Sequence, residues 1–341
     1  MQPARLGGGL KRYIEYISIN TNIYDYVIGD RNILEDIYPK EKIIASEIFT
    51  EEIADFLTEQ DILHFPANLM TDLKYNKLRC KTILTFHDCI PLRVKVSSEQ
   101  ETKKWKRDAR TALGRADMVI AVSQTTKDDI GFFFPEIAQS KIYVIYNAVS
   151  SAFRKCNINK SIETPYKYSY FLGRTRIRHK NFWRSLLAFR FSKYYKSSLL
   201  FTTLSDTPKI NSLFLILGMR KHVYLLGDLT DDEMNDVFNQ IDAIIFMSLY
   251  EGFGLPPLEA MSCGAVAICS DTEISHEIYE DAPYYANPYK IADIMRAIAL
   301  VSEDPDLREK KKEIGQMISA RYKLDKMVLA TADLIEQLKL C

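Results

Sequence analysis

Two glutamates, Glu251 and Glu259, stand eight positions apart and bracket a loop rich in glycine and proline, EGFGLPPLE. Two carboxylates so placed could serve as an acid and a base, or as hydrogen-bond acceptors. Pro256 and Pro257 suit the first turn of a helix, where a missing N–H is tolerated, and Gly264 suits the position just past its end. The loop therefore feeds a helix N-terminus, whose unpaired amides and positive dipole end form an anion site suited to phosphate. Gly252 and Gly254 let the backbone approach a ligand closely. A carboxylate beside such a site repels the anion unless it faces hydroxyls, which donate to it. The plainer reading is that Glu259 favours the helix dipole and Glu251 is solvated.

A basic run, RTRIRHK (174–180), follows a strand that ends at Gly173. It is either a solvated loop or a cationic partner for an anion. His87 ends another strand, KTILTFH, whereas His64 in LHFPAN reads as structural. Near the start, LGGGLKRYIEYI holds Gly8 and Gly9 in a glycine cluster without the full spacing of a dinucleotide fingerprint, a weak phosphate signal alone.

These residues need strands and helices to hold them. Short apolar runs alternate with helical patterns along the chain, the signature of parallel sheets built from βαβ units. Strands are expected at 24–29, 42–46, 61–65, 81–87, 118–123 and 141–146, forming a first sheet covered by helices at 50–60, 103–116 and 126–134. A polar segment, 150–167, lacks either period and reads as a linker. A second set of strands is expected at 168–173, 198–204, 222–227, 242–248, 265–270 and 282–286. Thr230 and Glu233 form a capping box. A helix begins near Ile291, and an amphipathic one at 325–339 closes the chain. In such sheets ligands sit at the carboxyl ends of strands.

At 341 residues the chain suits two domains with a cleft between them. Apolar residues make up 47% and charged ones 26%, with 45 basic and 45 acidic side chains cancelling, so bulk charge gives no argument for nucleic acid. Six cysteines are scattered without ligand spacing, which argues against structural zinc or a disulfide framework and for a reducing, cytoplasmic compartment. No apolar run reaches the roughly 18 residues of a membrane span. The helix KKWKRDARTALGR offers either an ordinary solvated face or peripheral contact with an anionic membrane.

The segment SLYEGFGLPPLEAMSCG (248–264) resembles glycosyltransferase family 4, whose Glu-x7-Glu motif is matched by Glu251 and Glu259. FLGRTRIRHKN (171–181) is similar to the family's Gly-Arg with a Lys six residues on, giving Arg174 and Lys180. TFHDCIPL, ADMVIAVSQTTKDDI and VIYNAV resemble further family segments in the family's order. The resemblance implies an α/β protein of GT-B class, two Rossmann-like doubly wound domains facing a cleft. The acceptor-side domain would span 1–155, joined by a C-terminal helix at about 322–341, and the donor domain 165–321.

The family likeness also implies roles. Arg174 and Lys180 would bind the donor pyrophosphate, Glu259 the ribose hydroxyls and Glu251 a hydroxyl of the transferred sugar. Gly8, Gly9, Gly252, Phe253, Gly254 and Leu255 would line the donor, and His87 would lie near the reaction centre. The implied reaction is metal-independent transfer of a hexose, plausibly mannose, with retention, from a GDP- or UDP-linked sugar to a glycan or lipid-linked saccharide. The leaving diphosphate would help deprotonate the acceptor, and no cofactor is needed. MQPARL is short for the strand that normally precedes the glycine loop. That motivates a second reading, a non-catalytic nucleotide-sugar-binding subunit whose N-domain a partner completes. A nucleotide-sugar epimerase is a third.

Overall fold

The computed structural model describes residues 27–29, 43–45, 57–66, 68, 79–158, 162–173 and 177–340. Gly8, Gly9 and Arg174, with the helix expected from residue 50 up to residue 56, lie outside them. Two compact units emerge. The described part of the first runs up to Leu92 and adds Ser97–Ala148 and the chain from Lys323, and the second is Val149–Tyr322 with Arg93–Val96.

In the first unit, β1 (Val27–Gly29) pairs with β2 (Ile43–Ala45), and β3 (Ile62–Phe65), β4 (Lys81–Phe86), β5 (Met118–Ala121) and β6 (Ile142–Val144) form a parallel sheet in that order. Each expected strand is present, but the described ladders join a pair and a set of four, not one run of six. Periodicity marks a strand, whereas its neighbour is chosen by distant partners. One face of the sheet buries Leu84, Phe86, Val119 and Ala121 under Leu113, Ile130 and Phe134. Those come from helix Glu99–Arg115, opened by a Ser98/Glu101 capping box, and from Gln124–Phe133 and its C-cap. The Trp105 ring lies 6.1 Å from Phe86, so the tryptophan of the basic helix packs inward. On the other face Ile83, Met118 and Ile120 meet Met327, Leu334, Ile335 and Leu338 of helix Leu324–Leu340. Lys81 Nζ also donates to the Leu338 carbonyl at 2.9 Å.

The second unit holds six parallel strands: β7 (Tyr168–Phe171), β8 (Ser198–Thr202), β9 (Val223–Leu225), β10 (Ala243–Phe246), β11 (Val266–Ser270) and β12 (Tyr284–Ala286). Their order is β12-β11-β10-β7-β8-β9, which within this unit is the dinucleotide-fold order 3-2-1-4-5-6 read backwards. All residues of β7, β8 and β11 are buried, as expected of strands covered by helices on both faces. Tyr170, Leu200, Ile245 and Ile268 pack under Phe182, Leu186 and Phe189 of helix Phe182–Phe191 and Ile294 and Ile298 of helix Ile291–Glu303. On the opposite face the Phe171 and Phe238 rings meet edge to face at 5.1 Å.

The described residues of the expected linker form no helix or strand, yet they are fastened to helix Asp231–Phe238 and the residues after it. Arg154 N donates to Asn235 Oδ1 at 3.0 Å, Cys156 N to Asn239 Oδ1 at 3.0 Å, and Ile162 N to Gln240 Oε1 at 2.6 Å. Among the described residues no helix is long and apolar enough to cross a membrane.

His64 on β3 shares a 2.7 Å hydrogen bond with the buried Thr85 hydroxyl. Burial, with a smaller effect from His87, pushes its imidazole down to about 3 from 6.5, and burial takes His87 down to about 4. A depressed folded-state value gives stability that is complete above the unfolded value and lost as pH falls through the window from 6.5 toward 4. At pH 5 the loss reaches up to roughly 2 kcal/mol for each ring. Urea denaturation should therefore show falling stability from pH 7 to pH 5. His64→Asn, which keeps a polar partner for Thr85 without titrating, should flatten that fall, and an unchanged slope would remove His64 from the account.

Candidate functional site

β7 and β10 are hydrogen-bonded neighbours, Ala243 beside Tyr170 and Ile244 beside Phe171, and their connections leave toward opposite edges of the sheet. This divergence makes a topological switch point, the place where open α/β sheets bind ligands. The loop after β7 runs into a short turn, Arg178–Lys180, and the loop after β10 carries Glu251. The two are tied through backbone, since Leu249 N donates to the His179 carbonyl at 2.6 Å.

Lys180 and Glu251 are brought together across 71 residues of sequence: Lys180 Nζ donates to Glu251 Oε1 at 2.6 Å. The Glu251 side chain is 13% exposed and that of Lys180 30%. The ammonium also sits 5.5 Å from the centre of the Phe246 ring, where the π face favours a cation. Asn181, in the left-handed region at φ 55°, ends the turn and starts helix Phe182–Phe191, its amide donating to the Pro288 carbonyl at 2.7 Å. That bond holds Lys180 from behind.

Helix Leu255–Ser262 begins at Gly254, and no side chain caps it. Pro256 and Pro257 occupy its second and third positions, so they take two N–H groups out of the first turn. The donors left at this end are the amides of Gly254 and Leu255, a smaller anion site than a full helix terminus offers. Gly254 adopts φ +91° and its carbonyl accepts from the Tyr279 hydroxyl at 2.6 Å. Burial raises the Tyr279 phenol well above its ordinary value, so it remains a donor. A Cβ at residue 254 would lie 2.2 Å from that oxygen. Phe253 is buried, edge-on to Tyr322 at 5.4 Å.

Glu259 lies on the same helix at 2% exposure, deep in the unit. His87 belongs to the first unit, where its Nε2 donates to the Pro66 carbonyl at 3.0 Å and its backbone N–H to Asn68 Oδ1. With the proton on Nε2 and a depressed affinity for a second, His87 presents a neutral imidazole at pH 7. Sequence reasoning missed Tyr279 and His179. Tyr279 gave no local signal, because its partner is 25 residues away. His179 was visible only as the neighbour of Lys180.

Two family models match the sequence of this chain. Residues 153–317 match the model described as glycosyl transferases group 1, and residues 40–153 match glycosyltransferase family 4. The chain belongs to this glycosyltransferase family. It is 27% identical over 260 residues to the serotype-specific mannosyltransferase WbdA of Escherichia coli, a match over 71% of this chain and 32% of that protein. It is 26% identical over 260 residues to the O-antigen chain mannosyltransferase RfbU of Salmonella typhimurium, over 73% and 67%. The chain thus spans about a third of the length of WbdA. The crystal structure of Anabaena HepE in complex with UDP-glucose superposes with a TM-score of 0.75 at 14% identity, over 97% of each chain. The fold is that of GT-B glycosyltransferases.

Gly254→Ala should destabilise the second unit by about 2–4 kcal/mol, combining left-handed strain with displacement of the Tyr279 hydroxyl. Tyr279→Phe alone should lose about 1 kcal/mol for the hydrogen bond. The double variant should lose less than the two singles summed, because the clash is removed once. Additive losses in chemical denaturation would mean the hydroxyl does not police residue 254.

Proposed function

We propose that this protein is a retaining hexosyltransferase. It moves a hexose, mannose being favoured by the two mannosyltransferase relatives, from a GDP- or UDP-linked sugar to a hydroxyl of a glycan or lipid-linked saccharide. The process served is polysaccharide or glycolipid assembly at the cytoplasmic side, with peripheral membrane contact through the basic side chains of helix Glu99–Arg115. One observation carries the reading: the Lys180–Glu251 pair at the switch point, beside an uncapped helix start. A cation and a carboxylate there match a ligand that is both anion and polyol.

On binding, the donor diphosphate takes Lys180 and the amides of Gly254 and Leu255, and Glu251 is released to accept from a sugar hydroxyl. Gly252 and Phe253 shape the loop around the sugar, and Glu259 holds the ribose. Lys180 then stabilises the negative charge that grows on the departing diphosphate, so this positive charge needs neither metal nor cofactor. The leaving oxygen takes the acceptor's proton as the acceptor attacks from the same face. His87, Arg174, Gly8 and Gly9 keep the roles that the family likeness assigns them.

Thermal shift with GDP- and UDP-sugars should select one base class, because a ligand bound only by the folded state raises its stability. Lys180→Met should raise the barrier to transfer by roughly 3–4 kcal/mol, and a rate change under threefold would return the basic run to a solvated loop. Glu251→Ala should lower turnover far more than affinity for the free nucleoside diphosphate. Comparable losses in both would refute its contact with the sugar.

A further inference from the structure

His179 stands beside the site and is used by neither half of the scheme above. It is 5% exposed, and its Nδ1 is buried without a hydrogen-bond partner among the described residues. A buried ring nitrogen left unmatched is costly and calls for a state in which it is matched. Its backbone is fixed on both sides: it is the middle residue of the turn Arg178–Lys180, and its carbonyl holds Leu249 N. The ring is therefore anchored, through its own backbone, to the junction between the two loops.

Among the described residues, two charged side chains act on this imidazole, one from each loop. Glu251, from the loop after β10, favours its protonation, and Lys180, from its own turn, opposes it. With burial added as the largest effect, the ring is held below its ordinary value of 6.5 and stays neutral at pH 7. That balance depends on Lys180 remaining on Glu251. When a diphosphate takes the ammonium, a carboxylate only 13% exposed loses its partner, and an unpaired buried charge is strongly destabilising.

We propose that His179 is a positioning residue that takes up one proton from solvent when a nucleoside-diphosphate sugar binds, and that its imidazolium replaces Lys180 as the partner of Glu251. The exchange keeps Glu251 ionised and in place while Lys180 serves the phosphates. No covalent bond changes; the proton passes from buffer to the unmatched ring nitrogen. This rests on the reading of Lys180 as a diphosphate ligand.

Calorimetric titration of the full chain at pH 7 with GDP-mannose and with UDP-glucose, each in two buffers of different ionisation enthalpy, reads the proton directly. Both probes carry diphosphates already ionised at this pH and bring no proton change of their own. The wild type should take up a measurable fraction of a proton with whichever donor binds. His179→Asn, which keeps an N–H near the Nδ1 position without titrating, should bind with none. Between pH 8 and pH 6 the affinity of the wild type should rise relative to that variant by roughly three- to tenfold, within the tenfold per pH unit that one proton allows. Glu251→Gln, which removes the charge favouring protonation, should also abolish uptake and serves if the Asn variant fails to fold. Binding without uptake in the wild type, or equal uptake in His179→Asn, overturns the proposal. Absence of binding by both donors overturns instead the reading of the donor site on which it stands.

Discussion

β7 and β10 lie side by side and send their chains in opposite directions, and the rest of the site depends on that divergence. Where neighbouring strands of a parallel sheet send their connections to opposite edges, a crevice lies outside their carboxyl ends. Lys180 and Glu251 meet because each is carried a few residues beyond its own strand, and Leu249 N on the His179 carbonyl fixes how far. The chemistry is thus set by backbone topology first and by side-chain choice second.

Much of this was legible in the residues. The twelve described strands were readable as short apolar runs, and most plainly where burial on both faces leaves the run unbroken, as in AIIF and VAICS. The Thr230/Glu233 box announced a helix, and the two prolines with Gly264 bounded another. Glu251 and Lys180 could be named from local motifs. What stayed hidden was non-local. Nothing near Tyr279 says that its hydroxyl reaches Gly254, and nothing near Trp105 says that its ring turns inward to Phe86 rather than out to a membrane. Helix Pro305–Ser319 went unread although Asp304 caps it, since its strongly charged sequence masks a narrow apolar stripe. The order in which the strands pair was not read at all, because pairing and register are settled by packing between distant segments.

The same region shows a division between rigid and exchangeable parts. Gly254 is locked by its own dihedral and by a buried phenol, and Asn181 by its bond to Pro288, so the ends of both loops are fixed before any ligand arrives. Between those fixed ends lies the Lys180–Glu251 ion pair, each member of which has a use in binding under the proposed scheme. A site built this way keeps its charges neutralised until a ligand exchanges partners with them, and the reorganisation required is confined to side chains. That is the preorganisation on which electrostatic stabilisation of a developing anion depends.

The segment that follows Ala148 is held by a different kind of bond. Asn235, Asn239 and Gln240 grip its backbone through amide oxygens, and Asn239 returns a bond from its nitrogen to the Arg154 carbonyl. None of these groups carries charge. Dissolved salt, which screens ionic contacts, leaves such bonds nearly untouched. The two fastenings therefore differ in kind. The uncharged bonds of the segment do not feel ionic strength. The Lys180–Glu251 pair, with both side chains largely withdrawn from water, is screened far less than a surface pair would be, so the unit as a whole is buffered against salt.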